Sequence, residues 1–423
     1  MTAREQAVRR APEAIEPPER GVTPEMLVSR AQGLVPLLRE QQEEADERGY
    51  YGEAVHLEFL RAGLYRILQP KRFGGYEFDL GTFLDVVTEI SRGHPSTGWC
   101  FTLCSSHSLV LASHWSAQAQ RELFGPTGDF RASHRSVPAG KFRKVDGGYL
   151  IESGSWSYSS GTPVATHFGG GAMLPDARGD PVSVNFFVPR EKVTILPDWG
   201  GEASLGMRGS GSNTVRIENV FVPDHHIAWG NFLIEQADPS GTPGTRLHGN
   251  PMYLGVAGGP YQLTFSAMMV GTVRAAIEEY EQLIRTRKAI GNPSQHLYEQ
   301  ADTQAALGEA LSLADCAQAV MRAAVDYHRE CTERWARVGT PIRASDTMRL
   351  WAMARESCLM SCRAVERVFR SGTPVVTTRG HRLQRYFRDV QMYLVHPSAQ
   401  PWVLRGRAQS HLGLGVEYFS SRK

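Results

Sequence analysis

The sequence predicts an α+β protein built as three consecutive parts: a helical N-terminal domain, a central β-domain and a C-terminal helical bundle. Three changes of texture predict it. Apolar residues recur at three- and four-residue steps from Thr23 to about Phe124. From Arg131 to about Val222 short β-branched runs alternate with Gly, Asp and Pro. Long helical periods then return over 261–370. A chain of 423 residues is too long for one small core, which suits this division.

Residues 1–22, rich in Arg, Glu, Pro and Ala without an apolar period, read as a flexible tail. Thr23-Pro24-Glu25 supplies a capping hydroxyl and a proline for the first helical position. Leu27, Ala31, Leu34 and Leu38, then Leu84, Val87 and Ile90, trace helical faces, and Gly74-Gly75 and Gly93-His94-Pro95 separate helices. In the middle third, 149–151, 182–188, 193–196 and 214–217 read as strands of a β-barrel or sandwich. A polar, Gly/Pro-rich connector spans 237–260. Beyond it, Met269, Val273, Ile277, Tyr280 and Ile284 form one apolar face, Leu307, Leu311, Ala314 and Ala317 a second, and Met348, Trp351, Leu359 and Cys362 a third.

Composition narrows the function. Forty-six basic residues against 44 acidic ones give no basis for binding nucleic acid or an anionic membrane. No run of 18 apolar residues and no signal peptide is present, so a cytoplasmic protein with reduced thiols is expected. The six cysteines are too sparse for a disulfide framework. Cys100/Cys104 and Cys358/Cys362 are spaced i, i+4 rather than as zinc ligands, so no metal is expected.

The stretch most suggestive of chemistry is Trp156-Ser157-Tyr158-Ser159-Ser160-Gly161, followed after six residues by Phe168-Gly169-Gly170-Gly171. Hydroxyls can donate to ring carbonyls or accept from a ring N–H, glycine lets backbone come close, and an indole can cover a flat ring. Alone, the stretch fits either a serine-rich hairpin end or the edge of a cofactor site; its place between two helical domains favours the cofactor.

Several motifs in order carry a family resemblance over roughly residues 25–400. Pro70-Lys71-Arg72-Phe73-Gly74-Gly75, Gly206-Met207-Arg208-Gly209-Ser210-Gly211-Ser212 and Val220-Phe221-Val222-Pro223 resemble the P-x-x-x-G-G, G-x-R-x-S/T-x-S and V-x-V-P runs of the acyl-CoA dehydrogenase superfamily. The resemblance implies an N-terminal helical domain (23–125), a β-barrel (126–236) and, after the connector, a C-terminal four-helix bundle (261–423), assembled as a homotetramer. That family's catalytic Y-E-G-T glutamate is missing. Arg388-Asp389 followed after six intervening residues by His396 instead resembles the R-D-x(6)-H ending of flavin-dependent monooxygenases on the same fold, such as the oxygenase components of 4-hydroxyphenylacetate, phenol and steroid-ring hydroxylases, dibenzothiophene monooxygenase and an indole hydroxylase.

Gly98-Trp99 with His107 resembles that branch's G-W-x(7)-H; Arg131 to Gly140 resembles its first β-domain loop, and Trp156 to Gly161 its W-x-F-S-S-G strand end. The resemblance implies His107, Ser133 and His396 as catalytic residues, and Trp99, Ser133, Ser136, Trp156, Ser157, Ser159, Ser160, Gly161 and Arg285 as cofactor contacts. Ser133 or Ser136 would accept the flavin N5–H, His396 would protonate and steady a C4a-hydroperoxide, and His107 would deprotonate or orient a phenol or indole N–H. Arg285, near Arg287-Lys288, would reach a neighbouring subunit's flavin phosphates; a solvated helix end is the other reading. Each histidine also has a plain structural reading, His107 as a satisfied core group and His396 as a helix-end cation. His114, His134, His167, His225 and His226 match no motif, although His134 and His167 adjoin the flavin loops.

The implied function is the oxygenase component of a two-component monooxygenase that uses reduced flavin (FADH2 or FMNH2) and O2 on an aromatic or heteroaromatic substrate. No G-x-G-x-x-G follows a strand, so an NAD(P)H:flavin reductase is the expected partner. The alternatives are an acyl-CoA dehydrogenase or oxidase with a displaced glutamate (Glu278, Glu279 or Glu281), an N- or S-oxygenase on the same fold, or a catalytically silent flavin-binding homologue.

Overall fold

A computed structural model describes residues 14–234, 236–289 and 291–416. The N-terminal region contains α1 (Pro24–Gly33), α2 (Val35–Glu40), α3 (Gln42–Arg48), α4 (Glu53–Arg61), α5 (Leu80–Gly93), α6 (Pro95–Ser105), α7 (His107–His114) and α8 (Ala117–Phe124). Thr23 caps α1 as its sequence requires, its hydroxyl accepting from Met26 N–H. Pro95 starts α6 just past the end of α5, and every residue of α6 is buried, so its mixed apolar and small-polar sequence faces protein all round. Of the expected tail, residues 1–13 lie outside the described residues. Residues 14–22 dock on the body: Ile15 N–H donates to Arg72 O at 2.9 Å, and Glu19 pairs with Arg30.

The β-domain has two four-stranded sheets over one apolar core that includes Ile151, Trp156, Phe168, Phe186, Val215 and Val222. One sheet has the order β1 (Ala132–Pro138), β4 (His167–Pro175), β5 (Pro181–Pro189), β8 (Ile227–Trp229); β1 runs parallel to β4, and the other pairs are antiparallel. The other sheet is β2 (Lys141–Val145), β3 (Gly148–Trp156), β7 (Val215–Pro223), β6 (Thr194–Ile195), antiparallel throughout. Gly169–Gly171 lie within β4 and are covered. A Cβ on Gly169 would meet His134 Cδ2 at 2.3 Å, and one on Gly170 would meet the Phe186 ring at 2.5 Å. These glycines let aromatic rings lie flat on the strand; they are not bare backbone offered to a cofactor.

The expected connector is folded: Thr242 caps α9 (Pro243–His248), and its hydroxyl donates to Tyr253 O. The bundle comprises α10 (Gly258–Thr286), α11 (Ala301–Val338), α12 (Ala344–Ser371) and α13 (Arg382–Leu394), with α14 (Trp402–His411) against α12. Ala306, Ala310, Ala314, Ala317 and Ala324 form the buried seam of α11, where small side chains allow close helix approach. A two-stranded ribbon, β9 (Lys288–Ala289) and β10 (Asn292–His296), links α10 to α11. No described helix is long and apolar enough to cross a membrane.

Candidate active site

The site lies where α6, the loops after β3 and β6, β1 and the ends of α10 and α13 meet. Trp99 on α6 donates its indole N–H to Ser160 Oγ at 3.0 Å. Ser160 is linked to Ser212 at 2.7 Å, and Ser212 to Ser210 at 2.7 Å, giving an almost fully enclosed string of three hydroxyls. Bare backbone brings the two loops onto α6: Gly161, at φ +79°, would drive a Cβ to 2.9 Å from Cys100 O.

The turn carrying Ser210 and Ser212 is held from the far end of the chain. Asp389 Oδ1 accepts from Met207 N–H at 2.6 Å, fixing Met207 at φ +50°, a left-handed conformation costly for a side-chain-bearing residue. Burial and the nearby Asp46 carboxylate push Asp389 up to about 7. Burial also raises Asp46, but His94 and Arg385 outweigh it and bring Asp46 down to about 2. Arg385 spans Asp46 at 2.9 Å and Gln42 Oε1 at 2.8 Å, locking α13 to α3.

On the other wall Thr162 Oγ1 donates to Ser159 O at 2.5 Å, so its link to Ser133 at 2.8 Å runs from Ser133 O–H to Thr162. Ser133 Oγ therefore keeps its lone pairs as an acceptor. His107 Nδ1–H donates to Ala132 O at 2.7 Å, leaving a lone pair on Nε2; burial lowers the pKa of the ring and keeps it neutral. That imidazole is suited to orient an acidic proton and poorly suited to hold one. His134 lies against it, ring centroids 5.2 Å apart, and burial brings its pKa to about 3.

His396 caps the turn after α13, its Nδ1 accepting from Ser398 N–H at 3.2 Å; the hydrogen bond assigns the ring proton to Nε2. It stands edge-on to Trp99, centroids 5.7 Å apart, and against Phe265 at 4.8 Å. Burial and the Arg135 cation bring its pKa to about 4, so His396 is a neutral N–H donor at pH 7 and not the helix-end cation that its position suggested. Arg135, on β1, also lowers His134, and it lowers Tyr261 against the stronger upward effect of burial, so its charge acts on residues of both walls.

The structure divides the expected residues. Trp99, Ser160 and His396 form one contact chain; His107, Ser133 and Ser159 line up with Thr162 on the other wall. Trp156 is enclosed among Phe168 and Phe186 in the β-domain core and donates to Gly171 O at 3.1 Å, so its indole cannot cover a ring. Ser157 is exposed and accepts from Thr214 Oγ1, while Ser136 is half-buried at the end of β1. His167 contacts Thr166 and Phe130, outside this cluster. Arg285 is exposed in the last turn of α10, about 30 Å along the helix from Phe265 at 1.5 Å per residue. Glu278 lies in ion pairs with Arg39 and Arg92 and Glu279 pairs with Arg382, so two of the three displaced-glutamate candidates are engaged by cations. Sequence reasoning passed over Thr162, Arg135, Ser210 and Ser212; the last two lie inside a motif read only as a family marker.

A flat ring bearing alternating carbonyls and N–H groups fits this donor set. Enclosed hydroxyls of both polarities, one imidazole donor and one imidazole acceptor are divided between the two walls, and the Trp99 indole and Phe265 ring pack on each other with centroids 4.9 Å apart. The fold is of the acyl-CoA dehydrogenase type, and comparisons with known proteins agree. Residues 263–401 match the family model described as acyl-CoA dehydrogenase, C-terminal domain. The flavin-dependent monooxygenase oxygenase subunit HsaA of Rhodococcus jostii is 29% identical over 379 residues, covering 88% of this chain and 94% of that one. The oxygenase component of an FADH(2)-dependent resorcinol hydroxylase from Rhizobium sp. is 27% identical over 403 residues, covering 92% and 94%. The crystal structure of 3-HSA hydroxylase from Rhodococcus sp. RHA1 superposes with a TM-score of 0.81 at 27% identity, covering 93% and 98%. Within the fold, the chain stands with the oxygenase components of two-component flavin-dependent monooxygenases.

Proposed function

We propose that this chain hydroxylates a phenol- or indole-like substrate as the cytoplasmic, homotetrameric oxygenase component of a two-component system, with FADH2 or FMNH2 delivered by diffusion from an NAD(P)H:flavin reductase. The resorcinol hydroxylase among the relatives supports a phenolic substrate and reduced flavin. Bound reduced flavin supplies the electrons and the site of O2 activation.

The protein's own part follows from its polar groups. The Ser160–Ser212–Ser210 string and the acceptor oxygen of Ser133 would seat and orient the ring. The Nε2–H of His396, beside Trp99, would donate to a developing oxygen anion without carrying a net charge of its own. The Nε2 lone pair of His107 would accept the hydrogen bond of a substrate O–H or N–H, and Arg135 would favour an anionic phenolate over the phenol. The packed β-domain and bundle exclude water, which limits wasteful loss of H2O2.

The observations that carry this reading are an acceptor imidazole on one hydroxyl-lined wall and a donor imidazole on the other, with Glu278 and Glu279, two of the three candidate glutamates of the dehydrogenase reaction, held in ion pairs. The test supplies enzymatically reduced flavin and O2 with a panel of phenols and indoles and measures product against H2O2. Oxygenated product with H2O2 falling in proportion is expected. Bleaching of bound oxidised flavin by an acyl-CoA thioester, with no oxygenated product from the panel, would overturn it.

A further inference from the structure

We infer that Glu122, His225 and His226 form a site for one late first-row divalent cation, zinc by preference, that staples helix α8 to the end of strand β7. Both imidazoles place Nε2 on the same carboxylate oxygen, Glu122 Oε2, at 2.7 Å and 2.8 Å. The three ligand atoms lie within 4.8 Å of one another. The set lies beyond the flavin site, and the expectation of no metal rested on cysteine spacing, which this site does not use.

Two nitrogens and one carboxylate oxygen match the borderline character of Zn2+, Co2+ and Ni2+, and offer too few oxygens for Ca2+ or Mg2+. An ion bound tetrahedrally at about 2.0–2.1 Å needs its ligand atoms roughly 3.3 Å apart. The observed spacing therefore opens by about half an ångström as the ion takes the place of two N–H···O bonds. Each neutral imidazole then carries its hydrogen on Nδ1. Side-chain exposures of 22%, 31% and 14% leave a fourth position for water.

The surroundings pre-set this geometry. Gln118 Nε2 donates to Glu122 Oε1 at 3.0 Å, turning Oε2 toward the histidines; it also lies 3.5 Å from His225 Nε2. The His225–His226 turn is pinned on both sides. Trp115, itself buried, donates its indole N–H to His226 O at 2.9 Å, and Asp224 N–H donates to Gly147 O at 2.9 Å. The rings stand edge to face, centroids 4.7 Å apart, so two adjacent residues reach one point without collision. Orienting partners of this kind commonly change metal affinity 10- to 100-fold.

The test titrates tag-free, chelator-treated protein with Co2+, read by its visible ligand-field bands, and with Zn2+, read by calorimetry. One equivalent per chain and a rise in Tm with Zn2+ are expected. His225→Ala/His226→Ala should lose binding, and Gln118→Ala, which removes no ligand, should weaken it by about tenfold. Flavin binding measured in parallel should not change. A stoichiometry far from one, or a binding curve unchanged by the double substitution, would overturn the site. Should the double variant fail to fold, an unchanged affinity in Glu122→Gln would do so equally.

Discussion

The indole N–H of Trp99 meets Ser160 Oγ at 3.0 Å, joining a helix of the first domain to a strand end of the second through one hydrogen bond. Ser160 in turn passes the connection to Ser212, so removing this one hydroxyl leaves the enclosed Trp99 N–H without its partner, while Ser212 keeps Ser210. Ser160→Ala should weaken flavin binding by about tenfold, the scale set by about 1–3 kcal/mol for a buried unsatisfied group. Fluorescence titration of FAD and FMN measures it, and an unchanged Kd would remove the hydroxyl string from the flavin site.

Asp389 gives a stability signature of its own. Its carboxyl is raised to about 7 in the folded chain, against 3.8 for an ordinary aspartate, chiefly by burial. A raised acid contributes stability that is complete below the unfolded value and is lost as pH rises through the folded one. Asp389→Asn keeps an oxygen for Met207 N–H and needs no proton. Melting temperatures across about pH 4 to 7, the window those two values define, should fall more in the wild type than in the variant. Parallel slopes would show that Asp389 does not titrate there.

Histidines shifted down by desolvation, His328 buried and the other four half-buried, predict the opposite trend in acid. Burial brings His114, His248, His328 and His396 to about 4 and His134 to about 3, against 6.5 when free. The unfolded chain takes up protons that the folded one refuses, so stability present above 6.5 is lost as pH falls toward 4. Calorimetric unfolding at pH 5 in buffers of differing ionisation heat should report net proton uptake. Zero uptake contradicts the burial of these rings.

His396 as a neutral donor sets the coupling of oxygen use to product. His396→Ala should raise H2O2 release several-fold, while His396→Asn, which restores an N–H, should recover part of the coupling. Because the imidazole already lacks its charge at pH 7, coupling in the wild type should stay level from pH 6 to 8 as far as this group is concerned. A coupling midpoint near 6.5 that vanishes in His396→Asn would restore a cationic role.

Arg135 should discriminate among substrates. Arg135→Gln is expected to raise KM for phenols by about ten- to a hundredfold, the range of a charge-assisted hydrogen bond, and to change KM for neutral indoles little. Equal effects on both classes would place the guanidinium on the flavin instead.

The three-part architecture was legible because helical and strand periods differ over long stretches, and because capping signals such as Thr23-Pro24 act locally. Strands β1, β2, β4 and β8 were not. His134, Arg135 and Gly169–Gly171 give them no alternating pattern, and β4 is stabilised by Phe186 and Phe187 lying across its glycines, a cross-strand effect. At the site, His107 and His396 were readable from spaced motifs. Their charge states were not, since these depend on burial and on Arg135, 261 residues before His396. Trp156 misled for a similar reason. An indole beside serines reads alike whether it faces a ring or the interior, and only sheet register decides that it packs on Phe168.

The tie between Asp389 and Met207 spans 182 residues of chain. A turn secured by so distant a partner cannot settle while the C-terminal helices are still emerging from the ribosome, since long-range contacts close late. The Ser210 and Ser212 hydroxyls carried by that turn therefore gain this hold only after the C-terminal helices have docked.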